Sequence, residues 1–260
     1  MRIRGYADGV PCWAELRTTD PAGAGEFYRE LFGWQVDGDV FRLGGLAVAG
    51  LVSAPAPPLV SAPAPPSGWL TYLATDDLAA LPVRVADGGG AVLYAPADAG
   101  TRGRAAVFAD PGGAAFGAWQ RGTFAGAQVG GEPNTVCWSE LATRDEDAAT
   151  VFYGKVFGWS AQDGEMAPGR AYREWIVGDR VVAGMIPLGP EVSAAIVPHW
   201  RTTVEVADIA GTVRQCRELG GRTAFGPIAV VVGRYAQLAD PYGGFFGVVE
   251  LIPELRGLPS

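Results

Sequence analysis

Two glutamates occur twice in the same setting. Glu15 lies two residues after Trp13 and Glu140 two residues after Trp138, within the related segments PCWAELRTTD and VCWSELATRD. A carboxyl group desolvated beside an indole has a raised pKa and is suited to general acid or base work near neutrality. Tyr235 is a further candidate proton donor. Glu15, Glu140 and Tyr235 are therefore the candidate catalytic residues, unless the glutamates serve as structural ion pairs with Arg17 or Arg201. Other chemistries find little support. Cys12 and Cys137 alternate with the tryptophans and so fall on the opposite strand face, and Cys216 sits in a helical pattern. No Cys–His pairing marks a thiol nucleophile, and no glycine-rich phosphate loop is present. His199, the sole histidine, follows Pro198 at a loop-to-strand junction.

These residues sit in a duplicated framework. Residues 11–34 and 136–159 share Cys12/Cys137, Trp13/Trp138, Glu15/Glu140, Asp20/Asp145, Phe27/Phe152, Tyr28/Tyr153 and Trp34/Trp159. A second block, 103–119, matches 233–249, pairing Arg104 with Arg234 and Asp110-Pro111 with Asp240-Pro241. Two such blocks in the same order define a tandem repeat. The boundaries are a first module over 1–124, a glycine-rich linker over 125–134 and a second module over 135–260.

Each copy has the same local grammar. Cys12–Thr18 alternates as a strand. Asp20 and Pro21 supply a helix cap and first-turn proline, and Ala24, Phe27, Tyr28 and Leu31 make one apolar face. Gly33 ends the helix. A strand pair, a strand at Leu70–Thr75, a helix signalled by Asp77 and two strands around the Asp110-Pro-Gly-Gly turn follow. The second copy has Arg201–Val206, a helix from Asp208 to Gly220 and the Asp240-Pro-Tyr-Gly turn. Strands and helices in this order predict an α+β sheet covered by helices. The octapeptide LVSAPAPP, at 51–58 and again at 59–66, is too rich in proline for a central strand and predicts an extended surface loop.

The blocks CWxEL…D…FY…FGW and DPxGxxFG resemble the vicinal oxygen chelate superfamily, which includes glyoxalases, extradiol dioxygenases and bleomycin-binding resistance proteins. The resemblance covers nearly the whole chain. It implies tandem βαβββ modules whose two curled mixed sheets form a shared cleft, with helices outside. It also implies where metal ligands would stand: at Trp13 and Trp138, at Leu70 and Arg201, and at Gly117 and Gly247. None of the six carries an imidazole, carboxylate or amide, so no metal and no cofactor is expected.

Strand alternation then sorts the cleft. Trp13, Arg17, Leu70, Tyr72 and Trp119 from the first copy, with Trp138, Arg201, Thr203, Glu205 and Phe245 from the second, are the candidate ligand-binding residues. Aromatic walls with few polar anchors suit a bulky organic ligand. The 260-residue chain is 48% hydrophobic and carries a net charge of −8, which gives no basic field for nucleic acid or an anionic membrane. Three cysteines and no signal-peptide core point to a reduced, cytoplasmic protein. Either a monomer or a homodimer is compatible. Lys155 is the only lysine, and alanine, glycine and proline are abundant, as in a GC-rich bacterial genome. The leading expectation is a metal-independent isomerase, cyclase or lyase of bacterial secondary metabolism, acting on a bulky, partly aromatic natural product. A resistance protein that sequesters such a molecule needs the same cleft without the acid–base residues. A metal-dependent glyoxalase or dioxygenase is the third reading, disfavoured by the missing ligands.

Overall fold

The computed structural model describes residues 1–53, 67–167 and 169–257. Residues 54–66, most of the duplicated proline-rich stretch, lie outside them. The first half runs β1 (Pro11–Thr18), α1 (Pro21–Phe32), β2 (Gln35–Asp37), β3 (Val40–Leu43), β4 (Leu46–Ser53), β5 (Ser67–Ala74), α2 (Leu81–Asp87), β6 (Ala91–Asp98), β7 (Gly103–Ala109) and β8 (Ala115–Arg121). The second repeats this order: β9 (Val136–Thr143), α3 (Glu146–Phe157), β10 (Ser160–Ala167), β11 (Arg170–Val177), β12 (Arg180–Pro187), β13 (His199–Glu205), α4 (Ile209–Glu218), β14 (Arg222–Val230), β15 (Gly233–Ala239) and β16 (Phe245–Leu251). Each half thus holds two βαβββ units, and each half makes one mixed eight-stranded sheet. The strand orders, β2-β3-β4-β1-β5-β8-β7-β6 and β10-β11-β12-β9-β13-β16-β15-β14, are the same.

Three strands follow each helix where the sequence marks two. The extra members are edge strands, and their exposure explains why they escape a search for alternating apolar residues. All three residues of β2 are exposed, and β6 carries two register shifts against β7. Helix starts mostly follow the sequence. The Asp20 carboxylate accepts from Gly23 N at 2.9 Å, Asp145 from Ala148 N at 2.9 Å and Asp208 from Gly211 N at 3.0 Å. Gly33 and Gly158 close α1 and α3 at φ of 73° and 71°, a conformation open to glycine at little cost. The exception is α2, which begins at Leu81. Asp77 caps the turn before it instead, accepting from Ala80 N.

The halves exchange partners in the core. One cluster joins Leu16, Phe27, Tyr28 and Trp34 to Val204, Ile209, Val213 and Phe246; the other joins Leu73, Leu81 and Phe116 to Tyr153, Trp159 and Trp175. Each cluster contains a buried chain of hydrogen bonds. Trp69 Nε1 donates to Tyr28 Oη at 3.2 Å, and Tyr28 donates to Asp240 Oδ2 at 3.1 Å. The counterpart runs from Trp200 Nε1 to Tyr153 Oη at 2.8 Å and on to Asp110 Oδ2 at 3.3 Å. The other oxygen of each aspartate holds its own Asp-Pro turn, Asp110 accepting from Ala114 N and Asp240 from Tyr242 N and Gly244 N. Among the described residues no helix is long and apolar enough to cross a membrane.

Removing either tyrosine hydroxyl leaves a buried carboxyl oxygen and an indole N–H, half-buried at Trp69 and buried at Trp200, without their partner. Tyr28→Phe and Tyr153→Phe should each destabilise the protein by about 1–3 kcal/mol. Because the two chains lie in separate clusters, the double variant should lose the sum. Urea denaturation followed by tryptophan fluorescence checks both expectations.

Candidate functional site

Alternation places most of the first-strand residues as the sequence predicts. Ala14, Leu16 and Thr18 are buried on the core side of β1, and Trp13, Glu15 and Arg17 face the concave side. The cysteines depart from the expected core face: beside the register shift between Pro11 and Trp13, Cys12 packs with Leu70, Tyr72 and Trp119, and Cys137 lines the cavity of the second sheet. On β13, Thr202 and Val204 are buried in the core direction, and Thr203 and Glu205 face the concave side of the second sheet. The two concave sides differ in what fills them.

Among the described residues, the first is packed with its own side chains. Leu70, Tyr72 and Trp119 are buried there with Trp13 and Phe124. Phe124 meets Trp13 edge-on at 5.0 Å between centroids and Trp119 at 6.0 Å, and its carbonyl accepts from Trp119 Nε1 at 2.8 Å. The Tyr72 ring covers Gly117, where a side chain would collide with it. Arg17 Nε donates to Glu15 Oε1 at 3.0 Å and Tyr72 Oη donates to the same oxygen at 3.2 Å, while the buried Arg17 Nη1 has no hydrogen-bond partner. Burial raises the Glu15 pKa, with Arg17 opposing the shift. Asp39 and Arg102, paired through both guanidinium nitrogens at 2.9 and 2.7 Å, bridge the strand ends around this cleft.

The second concave side is hollow. A cavity of about 390 Å³ is lined by Trp138, Glu140, Tyr172, Thr203, Glu205 and Tyr235, with Met166, Val181, Val230, Val249, Leu251 and Leu255 as its apolar wall. Every lining residue belongs to 131–255. The hairpin ends of β10 and β14 meet beside it through Val231 N and Met166 O at 2.9 Å. A space of this size suits a small organic molecule. A further cavity of about 70 Å³, between β1 and β9, is lined by both halves and includes Cys12 and Cys137.

Around the larger cavity, Trp138 Nε1 donates to Tyr172 Oη at 2.8 Å, and Glu140 acts electrostatically on the Tyr172 phenol, raising its pKa together with burial. Arg201 pairs with Glu140 at 3.4 Å, and its guanidinium lies 5.9 Å from the centre of the Tyr235 ring. Several buried polar atoms have no partner: Thr203 Oγ1, Glu205 Oε2, Tyr235 Oη and Arg201 Nε. The first three belong to residues that line the cavity. Unpaired buried polar groups cost free energy unless a ligand or water completes them. Burial raises the Glu205 pKa and pushes that of Tyr235 up to about 12, so Tyr235 is a neutral hydrogen-bond donor at physiological pH.

The structure therefore divides the sequence candidates. Trp138, Glu140, Thr203, Glu205 and Tyr235 come together at one cavity. Trp13, Glu15, Arg17, Leu70, Tyr72 and Trp119 come together in the filled cleft. Arg201 stands behind Glu140 rather than in the wall. Phe245 is 41% exposed under the Arg222 guanidinium, 4.7 Å from its ring centre, and does not join the cavity. Its strand alternation is right, but β16 starts there, beyond the end of the hollow. Tyr172 escapes the sequence reading because the β10–β11 hairpin has no residue-level match in the first half. Phe124 escapes it because it falls at the module boundary. His199 bonds only the local Val197 carbonyl through Nδ1, at 2.8 Å.

The repeated βαβββ units and curled sheets define a glyoxalase-like class. The chain belongs to the Glyoxalase/Bleomycin resistance protein/Dioxygenase superfamily, whose family model matches residues 12–118 and 134–246. It is 39% identical over 263 residues to "Anthracycline biosynthesis protein DnrV" of Streptomyces peucetius, covering 95% of this chain and 94% of that one. It is 38% identical over 261 residues to "Putative glyoxylase CFP32" of Mycobacterium bovis, covering 96% and 97%. The fold is also that of the Mn(II)-bound glyoxalase from Novosphingobium aromaticivorans, with a TM-score of 0.63, 17% identity and coverage of 94% and 83%.

The positions where family resemblance puts metal ligands do not fit a metal ion. Gly117 is covered by Tyr72, Gly247 lies against Thr203 and Tyr235, and Trp138 is tied to Tyr172. Among the described residues no group of three or more His, Cys, Asp or Glu side chains could hold a metal ion.

The unpaired Glu205 carboxyl has a consequence for stability. Its protonated form is the cheaper one in this site, so the folded state keeps that advantage below the ordinary glutamate range of about 4.3. The advantage is lost as pH rises through the elevated folded-state pKa. Glu205→Gln cannot ionise. It should be more stable than the parent near neutral pH, with the difference shrinking towards about pH 4. Denaturant titrations across that range measure the trend.

Proposed function

We propose that the chain is a metal-independent glyoxalase-like protein of bacterial secondary metabolism. It binds one bulky, partly aromatic natural product in the second cleft and rearranges it by proton transfer, as an isomerase, cyclase or lyase. The observation that carries this reading is the hollow second cleft, lined by aromatic and aliphatic walls and by Thr203, Glu205 and Tyr235, each of which has a buried oxygen without a hydrogen-bond partner. The relation to a protein named for anthracycline biosynthesis supports the ligand class.

The acid–base roles fall to Glu140 and Tyr235. Glu140 lines the cavity and is held by Arg201. It would take a proton from a carbon next to a ligand carbonyl. Tyr235, protonated to about pH 12, would donate its hydrogen bond to the carbonyl oxygen as charge develops there. Returning the proton from Glu140 to a different carbon completes an isomerisation; loss of a leaving group from the adjacent carbon completes an elimination. Trp138 and Tyr172 provide ring faces for stacking, each worth about 0.5–1.5 kcal/mol beyond area burial. Glu15 has no comparable role here, because its cleft is filled.

Deleting the gene in the producing bacterium and comparing metabolites by mass spectrometry tests the reading. An accumulated intermediate, isomeric with the lost product or differing by water, is expected. Restoring Glu140→Gln or Tyr235→Phe should fail to correct the profile, by at least ~10²-fold in turnover. Full correction by Glu140→Gln with ligand binding intact would instead identify a sequestering protein. Stoichiometric transition metal in the purified active protein would overturn metal independence.

A further inference from the structure

The charge of the second cavity is one-sided. Among the described residues four glutamates line it, Glu140, Glu165, Glu174 and Glu205, and no lysine, arginine or histidine does. Three of the four have partners. Glu140 is paired with Arg201. Glu165 accepts from Gly169 N at 3.0 Å, and Glu174 accepts from Gln162 Nε2 at 2.8 Å. Glu205 differs from them. It is 2% exposed and its Oε2 has no hydrogen-bond partner. The nearby cations do not reach it: Arg256 is paired with Glu250 at 3.9 Å, and the N-terminal ammonium with Glu132 at 2.8 Å. The pull of Arg256 and of the N-terminus only partly offsets the burial that raises the Glu205 pKa.

We propose that the ligand of this cavity carries a basic nitrogen, protonated in the complex, which docks against Glu205. A buried carboxylate facing a cavity is best completed by a cationic N–H donor, because the pairing removes both the orphaned acceptor and the uncompensated charge. The remaining carboxylates strengthen the preference, since they make the cavity a poor host for an anion. The aromatic faces of Trp138, Tyr172 and Tyr235 favour the same charge through their ring quadrupoles. Thr203 and Tyr235 then serve the uncharged oxygens of the same molecule. The inference rests on the second cleft being the binding site.

Three anthracene probes of nearly equal shape separate the two ideas: 9-(aminomethyl)anthracene, 9-anthracenemethanol and 9-anthracenecarboxylic acid. Dissociation constants are measured by titration calorimetry on the full-length protein at neutral pH. The amine should bind at least ~10-fold more tightly than the alcohol, with the acid weakest. Glu205→Gln should erase the gap between amine and alcohol by weakening the amine at least ~10-fold. Val249→Trp, which fills the cavity, should abolish binding of the amine and the alcohol. An alcohol or acid that binds as well as the amine overturns the proposal and leaves the cavity reading intact, as does a preference that survives Glu205→Gln. Failure of all three probes to bind, or binding indifferent to Val249→Trp, overturns both.

Discussion

The reciprocal burial of a tyrosine from one half against an aspartate from the other is the constraint on which the rest of the molecule depends. Each aspartate closes its own turn with one oxygen and receives a tyrosine from the opposite half with the other. Burial raises both aspartate pKa values, and the turn amides and the tyrosine work against that shift. A carboxyl so placed tolerates no missing partner, because water cannot replace what is lost. The turn of one half is therefore finished only when the helix of the other half is in place. The indoles of Trp69 and Trp200 extend the same condition to β5 and β13. The apolar clusters follow the hydrogen bonds, each drawing its residues from both halves.

With the scaffold held this way, the two concave faces were free to diverge. Both place a tyrosine against the same glycine position, but from different strands. In the first half Tyr72 on β5 covers Gly117, and position 105 is alanine. In the second half Tyr235 on β15 reaches Gly247, and the equivalent of Tyr72 is Thr203. The exchange has unequal results. Tyr72 and Arg17 both bond Glu15, leaving only Arg17 Nη1 of the three side chains buried without a partner, and Phe124 packs against Trp13 beside them. Tyr235 lines a space of about 390 Å³ and has a buried hydroxyl without a hydrogen-bond partner. One cleft contributes packing, and the other gives up packing and keeps open polar groups, a division in line with the general conflict between stability and function.

The scaffold was legible in the sequence because it is written in local signals used twice. Asp20 and Asp145 cap their helices, Gly33 and Gly158 stop them, and the repeated Trp34 and Trp159 that follow the stops are buried. The edge strands were less legible, since β2 is exposed throughout and β6 is bulged. The facing of Trp138, Glu140, Thr203 and Glu205 followed from strand alternation alone. What alternation could not show was occupancy. Whether a concave face is hollow depends on side chains far apart in sequence, such as Phe124 in the first half and Tyr172 in the second. Phe245 illustrates the limit: it lies on the right face of its strand and outside the hollow.

The exchange of tyrosines also bears on how such a chain could arise. A single copy of the repeated half would carry its tyrosine and its aspartate unmatched on one surface. It could bury them only against an identical copy, in a two-fold pair where each partner finishes the other. In that pair every substitution would appear twice, so both hollows would have to change together. Joining the copies in one chain removed this restriction. Phe124, at the end of the first sheet where the connection begins, could then stopper one hollow without touching its twin. The covalent joint thus did more than tether two domains: it made individuality between them heritable.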